Sequence, residues 1–201
     1  MSAATGPYWK RGSLFLVAMG AALLMGQRAV AESNRAAADD GETATELLPV
    51  RINAGAYEKY TDSDGNVWLA DEYFDGGETI SRSPDMKIEN TKDPDLYRCE
   101  RYSMDSFSYE LPNGKYEVML HFAETYEGVT GPGDRVFSFN VQGEEFKDFD
   151  VYVKAEGVQR AYVETVDVDV TDGKLMITFT PKVQNPMING IEIAPVAEKS
   201  Q

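Results

Sequence analysis

Chemistry needs particular side chains at workable spacing, and this chain offers few. Four acids, Glu100, Glu110, Glu124 and Glu127, are nominal candidates for the paired carboxylates of glycoside hydrolysis. In a chain with 34 acids such pairs arise anywhere, and none of the four sits in a pattern that fixes its distance to another. The one histidine, His121, is the sole candidate for an imidazole base; its strand position predicts a partly exposed sheet residue instead. Asp62, Asp64 and Asn66 open like a calcium loop. The glycine required at the sixth position is Val67, and the twelfth is Tyr73 rather than glutamate, so the segment reads as an Asp-Gly turn with solvated carboxylates. Cys99 is the single cysteine, expected to be buried as a small apolar side chain. With one Cys and one His, an intramolecular disulfide, a Cys-based zinc site and a two-His zinc helix are all excluded. No nucleophile elbow, phosphate loop or dinucleotide fingerprint occurs. Neither a cofactor nor catalysis is expected.

The more informative pattern is aromatic. Tyr73-Phe74 precedes Asp75-Gly76-Gly77, Tyr97 and Tyr102 bracket Arg98-Cys99-Glu100-Arg101, and Tyr126 precedes Glu127-Gly128 at the end of a strand. A tyrosine at a loop mouth offers a flat apolar face plus a hydroxyl, which suits a sugar ring, although any one of them could equally serve packing.

The elements that would position these residues read as β. Tyr116, Val118, Leu120 and Phe122 fall on one face of a strand, with Glu117, Met119, His121 and Ala123 on the other. Val166, Val168 and Val170 alternate with Asp167, Asp169 and Thr171. Val50–Ala54, Val67–Leu69, Phe107–Leu111, Val136–Val141, Leu175–Phe179 and the isoleucines 188, 191 and 193 supply further strands, separated by Gly, Asn and Asp turns. No long 3.6-residue period survives beyond residue 31. An all-β, single-domain sandwich is predicted over residues 49–196.

The flanks differ. Lys10-Arg11, the uncharged apolar run 14–25 and Ala29-Val30-Ala31 form a secretory signal over residues 1–31, with cleavage expected after Ala31; an uncleaved N-terminal anchor is the alternative. Cleavage removes the cations Lys10, Arg11 and Arg28 and no acid, so the exported part is the acidic part. Residues 32–48 read as a disordered linker and residues 197–201 as a polar tail. A formal charge of −15 argues against nucleic acid as a partner. A secreted, periplasmic or cell-surface protein is expected, with no membrane span once the signal is removed.

Four blocks in order carry a family resemblance: Ile52-Asn53-Ala54-Gly55, Asp93–Tyr102, His121-Phe122-Ala123-Glu124-Thr125-Tyr126, and Asn185-Pro186-Met187-Ile188-Asn189-Gly190-Ile191-Glu192-Ile193. Together they resemble the malectin domain. The resemblance implies a galactose-binding-like (jelly-roll) β-sandwich that holds carbohydrate at its loop end without catalysis; in the animal member the ligand is a glucose disaccharide. It implies stacking by Tyr102 and Tyr126, and polar contacts from Gln184 and Asn185. Glu127 stands where the family has an aromatic, and Gln184 where it has Asp. A further family tyrosine corresponds to Tyr73, or by ungapped count to Ile80. The implied function is a secreted carbohydrate-binding module for glucose-type oligosaccharides. The alternative is a cell-envelope interaction or structural module that has lost sugar binding, with an envelope protein as partner.

Overall fold

In the computed structural model, residues 48–197 are described. The expected signal 1–31, linker residues 32–47 and tail residues 198–201 lie outside them.

Two antiparallel sheets face each other. One is formed by β1 (Val50–Asn53), β12 (Gly190–Pro195), β6 (Gly114–Phe122) and β9 (Tyr162–Val170), in that order. The other runs β11 (Met187–Ile188), β5 (Cys99–Glu110), β10 (Lys174–Val183), β7 (Val136–Val141), β8 (Glu144–Phe149), with β4 (Phe74–Ser81) paired on the free edge of β5. β2 (Tyr60–Thr61) and β3 (Val67–Trp68) make a small hairpin. Two single-turn helices, α1 (Pro94–Arg98) and α2 (Val151–Ala155), interrupt the strands. The chain is therefore an all-β sandwich.

The period-2 pattern is what fills the space between the sheets. From the first sheet come Tyr116, Val118, Leu120, Phe122, Val166, Val168 and Val170, all buried. From the second come Phe107, Phe137, Phe139, Val141, Leu175 and Ile177. Each such side chain contributes about 1.5–3 kcal/mol on burial. Phe122 lies 5.0 Å from Phe149 and 5.9 Å from Phe139, centroid to centroid, so the two sheets meet through aromatic contacts.

Three expectations are corrected here. His121 is buried rather than partly exposed: Trp68 meets its ring edge-on at 5.2 Å, and Tyr97 shares a hydrogen bond with its Nδ1 at 2.8 Å. The strand face that alternation leaves for solvent is covered by a second apolar cluster of Trp68, Ile88, Leu96, Tyr97, Ala123 and Ala161. Burial pushes the imidazole down to about 4, so it is neutral at ordinary pH. The Asp62 carboxylate is not simply solvated. It accepts hydrogen bonds from the amides of Asp64 and Asn66, from Asn66 Nδ2 and from Trp68 Nε1. Burial acts to raise this carboxyl, but the hydrogen bonds from Trp68 and Asn66 outweigh it and bring it down to about 2. Cys99 is only half-buried, with its Sγ 3.7 Å from Ser81 Oγ.

Candidate functional site

A cavity of about 280 Å³ opens at the loop end of the sandwich, bordered by Ile80, Arg82, Glu100, Tyr102, Tyr126, Arg135, Gln184 and Asn185. It is close to the lower end of small-molecule pockets, roughly 300 Å³. Each wall comes from a different part of the chain. Ile80 and Glu100 are cross-strand partners on β4 and β5, and Tyr102 stands two residues further along β5, opposite Met187 of β11. Tyr126 lies in the loop that leaves β6, Arg135 immediately before β7, and Gln184-Asn185 between β10 and β11.

The loops are held by one buried amide. Asn189 Oδ1 accepts from the Ala123 amide at 2.7 Å, while its Nδ2 donates to the carbonyls of Tyr97 (3.1 Å) and Cys99 (2.7 Å). This fixes the exit of β6 against the entry of β5, and so sets Tyr126 relative to Tyr102. Gly128 is required for the Tyr126 ring to lie where it does, because a Cβ there would come within 2.4 Å of the ring.

Beneath the aromatics lies a charged floor. Glu124, fully buried, accepts from Arg135 Nε at 2.7 Å through Oε2 and from the Tyr126 amide at 2.9 Å through Oε1. Arg135 Nη1 donates to the Asn185 carbonyl at 2.7 Å, and its Cζ lies 5.9 Å from the Tyr126 ring centroid. Alongside, Arg82 donates from Nη2 to Glu100 Oε2 (3.2 Å) and from Nε to Thr125 Oγ1 (3.0 Å), and Thr125 in turn donates to Glu100 at 2.9 Å. Two cations thus offset two anions, and an otherwise acidic protein presents a balanced pocket. Burial raises the Glu124 carboxyl, and Arg135 offsets this only in part. The walls offer two aromatic surfaces and, from Gln184 and Asn185, exposed amides that both donate and accept. That combination suits a ring carrying several hydroxyls.

Of the residues expected at a site, Tyr102, Tyr126, Gln184 and Asn185 converge on this cavity. Tyr73 and Glu127 do not border it. Tyr73 lies seven positions before Ile80, roughly 20 Å away at about 3.3 Å per residue. It packs edge-on against Tyr109 at 4.8 Å and borders a different cavity. Ile80, the residue of the ungapped count, occupies the wall instead. Glu127 is exposed on a neighbouring cavity shared with Tyr126, Val158 and Gln159. Glu100 and Glu124, nominal acids by sequence, are ion-paired, and Glu124 does not border the cavity. Sequence patterning passes over Arg82 and Arg135, since each is a lone cation with its partners at least eleven residues away.

The family model described as the malectin domain matches residues 48–191. Malectin-B of Xenopus laevis is 32% identical over 154 residues, covering 69% of this chain and 53% of that protein. The chain thus spans about half the length of this relative. Among solved structures, a β-glucuronidase of Bacteroides uniformis superposes with a TM-score of 0.67 at 20% identity, over 75% of this chain and 18% of that one. The extracellular domain of ANXUR2 from Arabidopsis thaliana gives 0.65 at 18% identity, over 74% and 49%. These structural likenesses concern the fold.

Proposed function

Because this chain belongs to the malectin domain family, we propose that it is a non-catalytic carbohydrate-binding module that holds a glucose-type oligosaccharide at the loop end of its sandwich. The observation that carries this reading is the convergence of Tyr102, Tyr126, Gln184 and Asn185, from separate segments, on a single cavity. The two rings stack on the faces of a pyranose, and the two amides meet its hydroxyls. Glu100 and Glu124 serve structure rather than acid–base chemistry: each is held by an arginine, and Thr125 and the Tyr126 amide take further acceptor positions. With little apolar area to cover, the affinity expected is in about the micromolar to millimolar range. The secretory-signal pattern in the sequence of residues 1–31 supports export, with action as a secreted, periplasmic or cell-surface protein.

A second reading is a cell-envelope interaction module that no longer takes sugar. It is favoured by Ile80, an aliphatic side chain in the wall of the cavity, where a third ring would be expected of a sugar-stacking site. Calorimetric titration of the full chain with glucose-type disaccharides separates the two. Saturable heat in the stated range supports the lectin reading. No heat with any disaccharide of the series replaces it with the interaction module.

A further inference from the structure

The β4–β5 edge has two faces, and the second also carries a cavity, of about 340 Å³. Strand alternation separates them. The pair Ile80–Glu100 borders the pocket described above, and the next pair, Ser81–Cys99, borders the second cavity. Arg82, one residue past the end of β4, borders both.

Over this cavity lie Asn53, the last residue of β1, and the loop that leaves it through Ala54-Gly55, the end of the first sequence block, to Ala56-Tyr57. It crosses β5 so closely that a Cβ on Gly55, whose φ is +85°, would come within 2.4 Å of the Glu100 carbonyl. The Gly55 amide donates to Asp71 Oδ1 at 2.9 Å and the Ala54 amide to the Asn189 carbonyl at 2.9 Å, so the loop is pinned and the cavity is formed in advance of any ligand. Two features of it are unexplained by the fold. Asn53 is 2% exposed and borders the cavity, yet its Oδ1 has no hydrogen-bond partner among the described residues; buried acceptors are rarely left so. Tyr57 is 81% exposed at the same cavity, with its hydroxyl 3.5 Å from Thr79 Oγ1 on the side of β4 that carries Ser81. The cavity is also lined by the hydroxyls of Ser81 and Tyr60 and by the carboxylates of Glu58 and Asp95, the last ion-paired with Arg98. An exposed aromatic surface beside a buried acceptor that lacks a donor, Asn53 Oδ1, matches a ring bearing hydroxyl groups.

We propose that this cavity is a second sugar subsite, which takes a further pyranose ring of an oligosaccharide held between Tyr102 and Tyr126 and turning round the β4 edge past Arg82. This rests on the lectin reading of the first pocket. Tyr57 is the stacking surface, and Asn53 Oδ1 accepts from a ring hydroxyl. Cys99, the single thiol, borders the cavity and reports its occupancy.

The test uses the full chain and two glucose oligomers of one linkage, a disaccharide and a hexasaccharide. The hexasaccharide should bind at least fivefold tighter by calorimetry. Tyr57→Ala should abolish that gain and leave the disaccharide affinity unchanged. Asn53→Ala should do the same, but Asn53 also sits in β1, so the surface variant Tyr57→Ala carries the test. The hexasaccharide, and not the disaccharide, should slow maleimide labelling of Cys99 severalfold. Equal affinities for the two oligomers, a length gain that survives Tyr57→Ala, or Cys99 labelling indifferent to the hexasaccharide overturns the subsite while leaving the first pocket standing. Absence of binding by either oligomer overturns the lectin reading and the subsite with it.

Discussion

The β4–β5 pair carries tyrosines at both of its ends, and the two ends are not alike. At the loop end, Tyr102 and Tyr126 stand over a buried network in which Arg135, Glu124, Arg82, Glu100 and Thr125 take one another's hydrogen bonds. At the far end, Tyr73 and Tyr109 meet edge-on beside Ser108, Glu110 and Lys174, and border a cavity of about 590 Å³, twice the volume of the loop-end pocket. The larger cavity has the poorer claim to be a site. A ring binds a ligand when its orientation is set before the ligand arrives, and orientation comes from the groups beneath it rather than from the space beside it. Tyr126 is held by its own amide on Glu124, by the guanidinium of Arg135 and by the room left at Gly128. Tyr73, at φ +71°, has one aromatic neighbour among the described residues, Tyr109.

Removing the floor should have the largest effect. Arg135→Ala leaves Glu124 buried without its cation and is expected to lower unfolding stability by about 3–5 kcal/mol. Lys174→Ala at the far end should change it by less than about 0.5 kcal/mol. Denaturant unfolding of the two variants measures the contrast, and equal losses would erase the distinction between the ends.

Acid should act next, on the cluster that covers the back of β6. The folded pKa of His121, about 4, lies below its ordinary 6.5. Above pH 6.5 the ring is neutral folded or unfolded, and nothing is lost. As the pH falls from 6.5 through 4, the unfolded chain takes up a proton that the buried ring refuses, and stability declines by about 3 kcal/mol at 1.36 kcal/mol per pKa unit. His121→Gln should flatten this part of the stability–pH profile relative to the natural protein. Parallel profiles would show that other groups account for the slope.

Sugar binding separates the ends more gently. Tyr126→Ala should weaken a bound disaccharide by about 1–3 kcal/mol, the range for losing a large apolar contact, whereas Tyr73→Ala should leave the titration unchanged. A loss at Tyr73 would move the site to the far end.

The smallest expected change sharpens the pocket itself. Gln184→Asp supplies a charged acceptor for sugar hydroxyls and should strengthen binding by roughly 0.5–1 kcal/mol. Glu127→Phe, on the neighbouring cavity beyond Tyr126, should not move the affinity at all.

How much of this was legible in the residues depends on the range of the interaction. β6 and β9 could be read directly, because Tyr116 to Phe122 and Val166 to Val170 alternate with a period set by the strand itself. Tyr102 and Tyr126 could be reached because each sits in a local block of distinctive residues. The floor could not. Arg82 finds Thr125 across 43 positions and Arg135 finds Asn185 across 50, and no local pattern encodes such a meeting. His121 was misplaced for the complementary reason. Alternation tells which residues share a face but not whether a face is covered, and Trp68 and Tyr97 arrive from the β2–β3 hairpin and from α1, which alternation along β6 does not describe. Tyr73 against Ile80 turned on register: β4 shifts by one residue between Asp75 and Gly76, and only pairing with β5 shows which residue reaches the loop end.

The amide of Asn189 has a consequence for the order of events on the ribosome. It reaches back 66 positions to Ala123 and 92 to Tyr97, and the strand after it, β12, sits between β1 and β6 in the first sheet. A nascent chain that has emerged only as far as residue 185 already contains Tyr102, Tyr126 and both arginines of the pocket, yet has nothing to clasp the segments that carry them. Vectorial synthesis therefore leaves β1 and β6 each with an edge that β12 has yet to pair until the Asn189 segment clears the exit tunnel.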